Sequence, residues 1–241
     1  MIEPQLSDFP KLECPFVRQR YAVDIQGFKK HGSRLKLREP EVYLVTPEVN
    51  PGYEWVFEDS ETFAVEKLDG TNVKLKTVKG RLEAVQNRKN VIDPLQLLSG
   101  KAFIVEGVLM AATKGWIQSE GEQAGEVLGP KLQANPYQLD YHVWYPFEKS
   151  ISNLRYKSFD NHARTFENWS HWLRELLFSP LFCAMHKVPH AQCSIKAEGV
   201  IFYNLKRKAE GKTYMAKLRR DMFDWYYSDN IAILDAINPA D

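Results

Sequence analysis

Phe63-Ala64-Val65-Glu66-Lys67-Leu68-Asp69-Gly70-Thr71-Asn72 runs directly into Val73-Lys74-Leu75-Lys76-Thr77-Val78. Apolar and polar residues alternate on both sides of Gly70, which predicts two strands joined at a tight corner. Lys67 then stands at a strand end beside a turn, where a long side chain reaches a ligand without entering a core. Gly70 has no Cβ and lets backbone approach closely. Lys-x-Asp-Gly alone is a common pattern, so its meaning depends on what the rest of the chain supplies.

The chain has 241 residues, 44% hydrophobic and 26% charged, an ordinary globular composition with room for one large domain. A net charge of +1 excludes a uniformly basic nucleic-acid coat but leaves room for a local basic groove. No apolar run reaches the length of a membrane helix, and no membrane partner is expected. Met1-Ile2-Glu3-Pro4 lacks the layout of a signal peptide, and three cysteines do not make a disulfide scaffold. A cytoplasmic home is the reading that follows.

Residues 1–50 read as an irregular, basic N-terminal segment packed on a catalytic domain of residues 51–241. Pro10, Pro15, Pro40 and Pro47 break any long helix there. Lys29 to Arg38 packs six basic residues, His31 included, into ten positions. This run faces water or contacts phosphate. Tyr53-Glu54-Trp55-Val56-Phe57 reads as a strand. Lys79-Gly80 reads as a hairpin turn that returns Leu82 to Asn87 antiparallel and carries Arg88 at its end. Residues 93–118 have helical spacing, with Pro94 in the first turn. Gly121 to Pro136 looks turn-rich, and Tyr137 to Phe147 an aromatic strand. Residues 160–178 form an amphipathic helix with Phe166, Trp169, Trp172, Leu173, Leu176 and Leu177 on one core face. Lys196 to Tyr203 and Thr213 to Leu218 pair as strands, and period-two geometry puts Met215, Lys217 and Arg219 on one face.

Several of these strand ends carry polar groups: Lys67 with Asp69, Arg88, Glu198, and Lys217 with Arg219. Glu126 joins them from its Gly-rich turn. In this order the segments resemble the motifs of covalent nucleotidyltransferases, and most closely of ATP-dependent RNA ligases of the phage and RNA-editing type. Val65 to Asn72 is similar to the nucleophile motif in its RNA-ligase form. Gly125 to Pro130 resembles the second carboxylate motif and Tyr141 to Tyr145 the aromatic motif behind it. Ala197-Glu198-Gly199-Val200-Ile201 resembles the third carboxylate motif, and Met215 to Arg219 the closing lysine motif.

That resemblance implies an α+β, ATP-grasp-like nucleotidyltransferase domain of packed antiparallel sheets flanked by helices. Only about twenty residues follow Arg219, so no OB-fold domain is expected. The implied reaction joins RNA 5′-phosphate and 3′-hydroxyl ends with ATP as AMP donor and Mg2+ or Mn2+ as cofactor. The implied state is a monomer or homodimer. Lys67 would attack the α-phosphorus of ATP, release pyrophosphate and carry AMP through a phosphoramidate bond to the RNA 5′-phosphate. A 3′-hydroxyl would then displace AMP. The attacking amine must be neutral, although free lysine has a pKa of about 10.4. Neighbouring cations such as Lys217, Arg219 and a metal ion would favour the neutral form and stabilise the transferring phosphate.

By the same resemblance Glu66 would accept from the adenine amino group, while Asn72, Arg88 and Asp69 belong to the nucleotide site. Glu126 would bond the ribose hydroxyls and Trp144 would stack on adenine. Glu198 would hold the metal, and Lys217 and Arg219 the α-phosphate. Arg219 stands where the family carries a second lysine. A rival glutamate, Glu106, lies in a stretch of helical periodicity where solvent exposure is expected. A minimal DNA ligase, an RNA-capping guanylyltransferase and a catalytically silent RNA-binding module are the alternative readings. Separately, Cys183, His186, His190 and Cys193 offer four soft ligands within eleven residues. Their spacing is short for a structural zinc site, and a connecting segment is the reading preferred.

Overall fold

The computed structural model describes residues 6–23, 41–93 and 100–227, and the backbone alone of 233–236. The basic run 29–38 and the stretch Pro94 to Leu98 lie outside the described residues. Antiparallel sheets and short helices make an α+β fold. The chain divides into two units. The Lys67 unit comprises Leu12–Lys67, Tyr156–Leu177 and Glu198–Asp241; the Glu126 unit comprises Met1–Lys11, Leu68–Arg155 and Phe178–Ala197.

In the Lys67 unit, β1 (Phe16–Val23) and β2 (Glu41–Val49) occupy the segment expected to be irregular. Pro15 precedes β1, and Pro47 is tolerated by its position. Pro47 falls in β2, an edge strand of the sheet in which β1 is central, near the register shift between Phe16 and Arg18. Proline is tolerated at an edge or a bulge because no ladder donor is needed there. Strand β11 is Ile233–Ala236. The expected strand at 53–57 is instead a short helix, α1 (Trp55–Glu58), whose buried residues Trp55 and Val56 are adjacent rather than alternating.

The core of this unit is aromatic. Phe16 meets the rings of Phe57, Phe166 and Trp169 at centroid distances of 5.1, 5.3 and 5.8 Å. Trp169 stacks between Phe57 and Phe202, at 4.8 and 4.9 Å. The expected amphipathic helix is α4 (Phe166–His171), capped by the Thr165 hydroxyl accepting from the Asn168 N–H, and continues as a wide π turn over Trp172–Leu176. Trp169, Trp172, Leu173 and Leu177 are buried as expected, but Leu176 is 45% exposed. The wider turn shifts the helical phase by about 100° per added residue, which carries Leu176 off the core face.

The second sheet of the Lys67 unit has the order β10-β9-β3, with β3 at Phe63–Lys67, β9 at Gly199–Tyr203 and β10 at Met215–Arg219. Gly199 on the central strand pairs with Lys67 on one side and Arg219 on the other. A Cβ on Gly199 would lie 2.3 Å from the Leu218 carbonyl oxygen and 2.7 Å from Arg219 Cα, so only glycine lets the strands close here. Helix α6 (Leu205–Ala209) bridges β9 and β10, its first turn capped by Asn204.

The Glu126 unit is built on a five-stranded sheet, β6-β5-β4-β7-β8. Its strands are β4 (Thr71–Val78), β5 (Arg81–Asn87), β6 (Asn90–Val91), β7 (Gly121–Leu128) and β8 (Val143–Pro146). The Lys79-Gly80 hairpin is present, with φ of 51° and 78° as a type I′ turn requires. Strands β3 and β4 follow each other in sequence but pair with different partners, so their corner is a change of sheet rather than a hairpin. The first half of the stretch read as turn-rich is β7, and the second half, 129–136, is indeed turns. Gly125 is glycine because a Cβ would stand 2.5 Å from the Tyr145 carbonyl oxygen and 2.6 Å from Trp144 Cε2. The aromatic strand is shorter than expected and begins only at Val143, since Gln138 has a positive φ and residues 137–142 form turns and bends.

Phe147 opens helix α3 (Phe147–Asn153) behind Pro146. Helix α2 (Ala102–Thr113) lays Ile104, Val105, Val108 and Ala111 against β7 and β8. Helix α5 (Pro180–His186) is capped by the Ser179 hydroxyl, which accepts from the Phe182 N–H. Among the described residues no helix is long and apolar enough to cross a membrane.

Candidate active site

In the Lys67 unit the register delivers four charged side chains to the end of the β10-β9-β3 sheet. Lys67 ends β3, Glu198 immediately precedes β9, and Lys217 and Arg219 lie on β10. Lys67 Nζ donates to Glu198 Oε2 at 2.5 Å, and Arg219 Nη1 stands 3.6 Å from Glu198 Oε1. The side chains of Lys67, Glu198 and Arg219 keep 22%, 20% and 35% of their surface exposed, enough to meet a ligand. Met215, Lys217 and Arg219 do share the half-buried face of β10, with Ala216 and Leu218 fully buried opposite.

Lys217 holds its proton less tightly than an ordinary lysine. Burial is the first cause, and the neighbouring charges of Arg219, Lys67 and Arg18 add to it, against a smaller opposing effect of Glu13. The Lys217 N–H donates to the Glu13 carbonyl at 2.9 Å, which anchors the strand. Cys14 is no rival nucleophile, because burial pushes its thiol up to about 11. Glu66 is 2% exposed, and alternation along β3 turns it to the face opposite Lys67. Asp221, which sequence reading did not single out, places Oδ1 3.0 Å from Arg219 Nε. Its only sequence signal is a carboxylate two positions beyond Arg219.

The Glu126 unit gathers a second group. Asn72 and Glu126 are directly opposite in the β4–β7 ladder. Glu126 is 6% exposed; its Oε1 accepts from the Gly70 N–H at 3.0 Å and its Oε2 stands 3.5 Å from Asn72 Nδ2. Glu126 thus sits on a strand rather than in a turn, and one oxygen fastens the Asp69-Gly70 corner. The Asp69 N–H donates to the Tyr137 hydroxyl at 2.9 Å, a contact that no sequence motif announced. Asn87 Nδ2 holds Thr71 Oγ1 and the Asn72 carbonyl at 2.9 and 2.8 Å.

One expectation needs correction here. Trp144 is fully buried and its indole N–H donates to the Val73 carbonyl at 3.0 Å, so it has no ring face to offer an adenine. Arg88 directly follows β5, at the strand end as expected, and is exposed with a φ of 53° in the turn to β6. Glu106 is about half exposed, as expected of a helical glutamate, and its Oε2 lies 2.7 Å from His142 Nδ1.

Within this cluster Glu198 is a half-buried carboxylate whose two oxygens face Lys67 and Arg219. A hard cation bound by one carboxylate, phosphate oxygens and water fits that donor set. Among the described residues no three His, Cys, Asp or Glu side chains form a ready-made metal cage. His186 Nε2 contacts the Tyr137 carbonyl oxygen at 2.8 Å, and the Cys193 thiol contacts the Ser179 and Ile195 carbonyl oxygens at 3.6 Å.

No family model and no curated protein matches the chain. Among solved structures the chain is similar to Naegleria gruberi RNA ligase. A variant of that enzyme with ATP and manganese aligns over 92% of this chain and 63% of its own, at 13% identity and a TM-score of 0.40. The same ligase with pyrophosphate aligns over the same shares at 12% identity and a TM-score of 0.40. Another variant with ATP and manganese aligns over 70% of this chain and 51% of its own, at 13% identity and a TM-score of 0.36. The chain therefore spans less than two thirds of these ligases' length. At this level of likeness the functional reading rests on the side chains described above.

Proposed function

We propose that the protein is an ATP-dependent RNA ligase that works through a lysyl-AMP intermediate. The observation that carries this reading is the cluster at the end of one sheet: Lys67 on Glu198, with Arg219 on the same carboxylate and Lys217 electrostatically coupled to both cations. A lysine amine needs such cationic company to act as a nucleophile toward a phosphate. Positive charge there disfavours a protonated amine and stabilises charge developing on the phosphoryl oxygens.

Lys67 takes the role of nucleophile. Its ammonium leaves Glu198 and gives its proton to solvent before attack, and Glu198 would then hold a divalent cation. When bound, that cation neutralises phosphate charge. Lys217 and Arg219 hold α-phosphate oxygens, Arg219 through a guanidinium fork suited to two oxygens. The attack forms an N–P bond, breaks the bond from the α-phosphorus to the bridging oxygen and releases pyrophosphate. Transfer to an RNA 5′-phosphate and displacement of AMP by a 3′-hydroxyl complete the reaction.

For the nucleoside, the motif resemblance assigns Glu66 to the adenine amino group, and Asn72, Arg88, Asp69 and Glu126 to the sugar and phosphate region. Glu126 has the additional task of holding the Gly70 N–H. RNA with 5′-phosphate and 3′-hydroxyl ends is the substrate in this reading, in a monomer or homodimer.

Incubation with α-labelled ATP and magnesium or manganese tests it. Covalent label is expected from ATP, absent in Lys67→Ala. Label from GTP alone would replace the ligase with a capping guanylyltransferase, and no label from either would leave a binding module. Nicked RNA and DNA duplexes then decide between RNA and DNA as the strand sealed.

A further inference from the structure

Arg219 touches two carboxylates with different parts of its guanidinium. Nη1 lies 3.6 Å from Glu198 Oε1, while Nε lies 3.0 Å from Asp221 Oδ1. Nε and Oδ1 are both sealed from solvent, and they meet as an ion pair rather than as an aligned hydrogen bond. Their side chains are nonetheless about one-third exposed, at 35% and 32%, so the sealed atoms face each other while the far end of the guanidinium remains accessible. The backbone around Asp221 is also fixed. Its carbonyl accepts from the Tyr227 hydroxyl at 2.8 Å, and the Arg220 N–H donates to the Glu198 carbonyl at 3.0 Å.

We infer that Asp221 is a positioning residue that holds Arg219 side-on by Nε, leaving the Nη atoms for Glu198 and for an anionic ligand oxygen. Arginine is the side chain this arrangement requires. A guanidinium offers donors in a rigid planar fork, so one edge can be pinned while the other binds. A lysine has a single ammonium nitrogen on a flexible stem, with no second edge to present to a ligand once the first is pinned. A buried charge pair of this kind also resists swivelling, because rotating Arg219 outward would leave Asp221 Oδ1 sealed without its countercharge. The inference rests on the ligase reading for its kinetic consequence and on the ion pair alone for its structural one.

The test uses the full chain with Asp221→Asn, Arg219→Lys and the double variant. Asparagine keeps the shape of aspartate, and thermal melts define a temperature at which every variant is folded. The first readout is the Arg219 Nε–H resonance. Slow exchange with solvent is expected in the parent protein and fast exchange in Asp221→Asn. The second is lysine adenylylation with α-labelled ATP. Asp221→Asn is expected to raise the KM for ATP about tenfold, the size of one lost charge-assisted contact. The double variant should be no worse than Arg219→Lys alone, because the two act as one unit.

An unchanged Nε–H exchange rate would overturn the inference. So would adenylylation constants within twofold of the parent value, or single effects that simply multiply. If the parent protein takes no label, the ligase reading falls while the resonance still decides whether Asp221 holds Arg219.

Discussion

Replacing Gly70 by alanine probes the corner that follows Lys67. A Cβ at this position would stand 2.2 Å from the Val127 carbonyl oxygen, 2.8 Å from Leu128 Cδ2 and 3.0 Å from Glu126 Cγ. The nearest of these is backbone of β7 and cannot rotate away, so the corner must retreat by about 1 Å to recover ordinary contact. Such overpacking costs about 1–3 kcal/mol. The retreat also stretches the Gly70 N–H bond to Glu126, now 3.0 Å, and a hydrogen bond to a charged group contributes about 1.5–3 kcal/mol. The two effects overlap, and a combined loss of about 3 kcal/mol corresponds to a fall in Tm of about 6–12 °C for a chain of this size. Urea unfolding should show a lower midpoint with an unchanged slope. Gly100→Ala is the control, with no atom within 4 Å of the added Cβ and no left-handed φ, and it should leave stability unchanged or slightly raised. If Gly70→Ala melts within 2 °C of the parent, about the effect of 1 kcal/mol or less, the close approach of this corner to β7 does not constrain the unit as argued.

Lys217 has a lowered pKa in the folded chain, so across the window between that value and about 10.4 the unfolded chain binds more protons. The unfolding free energy of the parent protein should therefore rise relative to Lys217→Met as pH increases through this window, and a flat difference would contradict it. Trp144→Phe removes the donor to the Val73 carbonyl and leaves space in the core, which should cost about 2–3 kcal/mol in urea melts without changing the preference for ATP over GTP. Loss of that preference with stability intact would restore Trp144 to the nucleotide site. Elemental analysis should find no stoichiometric zinc, since His186 and Cys193 are engaged with backbone carbonyl oxygens; one zinc per chain would refute that assignment.

The strands carrying Lys67, Lys217 and Arg219 were legible because their alternation is local and the spacing of two places Lys217 and Arg219 on one face. Lys67 and Glu198 are 131 positions apart, and only the ordered motifs pointed to their meeting. What misled the reading has particular physical causes. Gly125 looked like a turn residue, yet its missing side chain makes room for Trp144 beside a strand. Pro47 looked like a breaker, yet it lies in an edge strand where no donor is missed. Trp144 fits an aromatic motif by sequence, but strand register and one indole hydrogen bond decide that it is core. Tyr137 gave little signal because its hydroxyl takes its role from the distant Asp69 N–H, and Asp221 because a carboxylate just after a cationic strand pairs with Arg219 only through the turn that follows β10.

The most direct measurement is the site of AMP attachment. After incubation with ATP and magnesium at neutral pH, peptide mapping by mass spectrometry should find one AMP per chain, on the peptide containing Lys67. The modification should be acid-labile, as a phosphoramidate is, and should transfer to 5′-phosphorylated RNA when RNA is added. AMP on a different lysine, label that persists in Lys67→Ala, or a chain left unmodified by ATP would contradict the account.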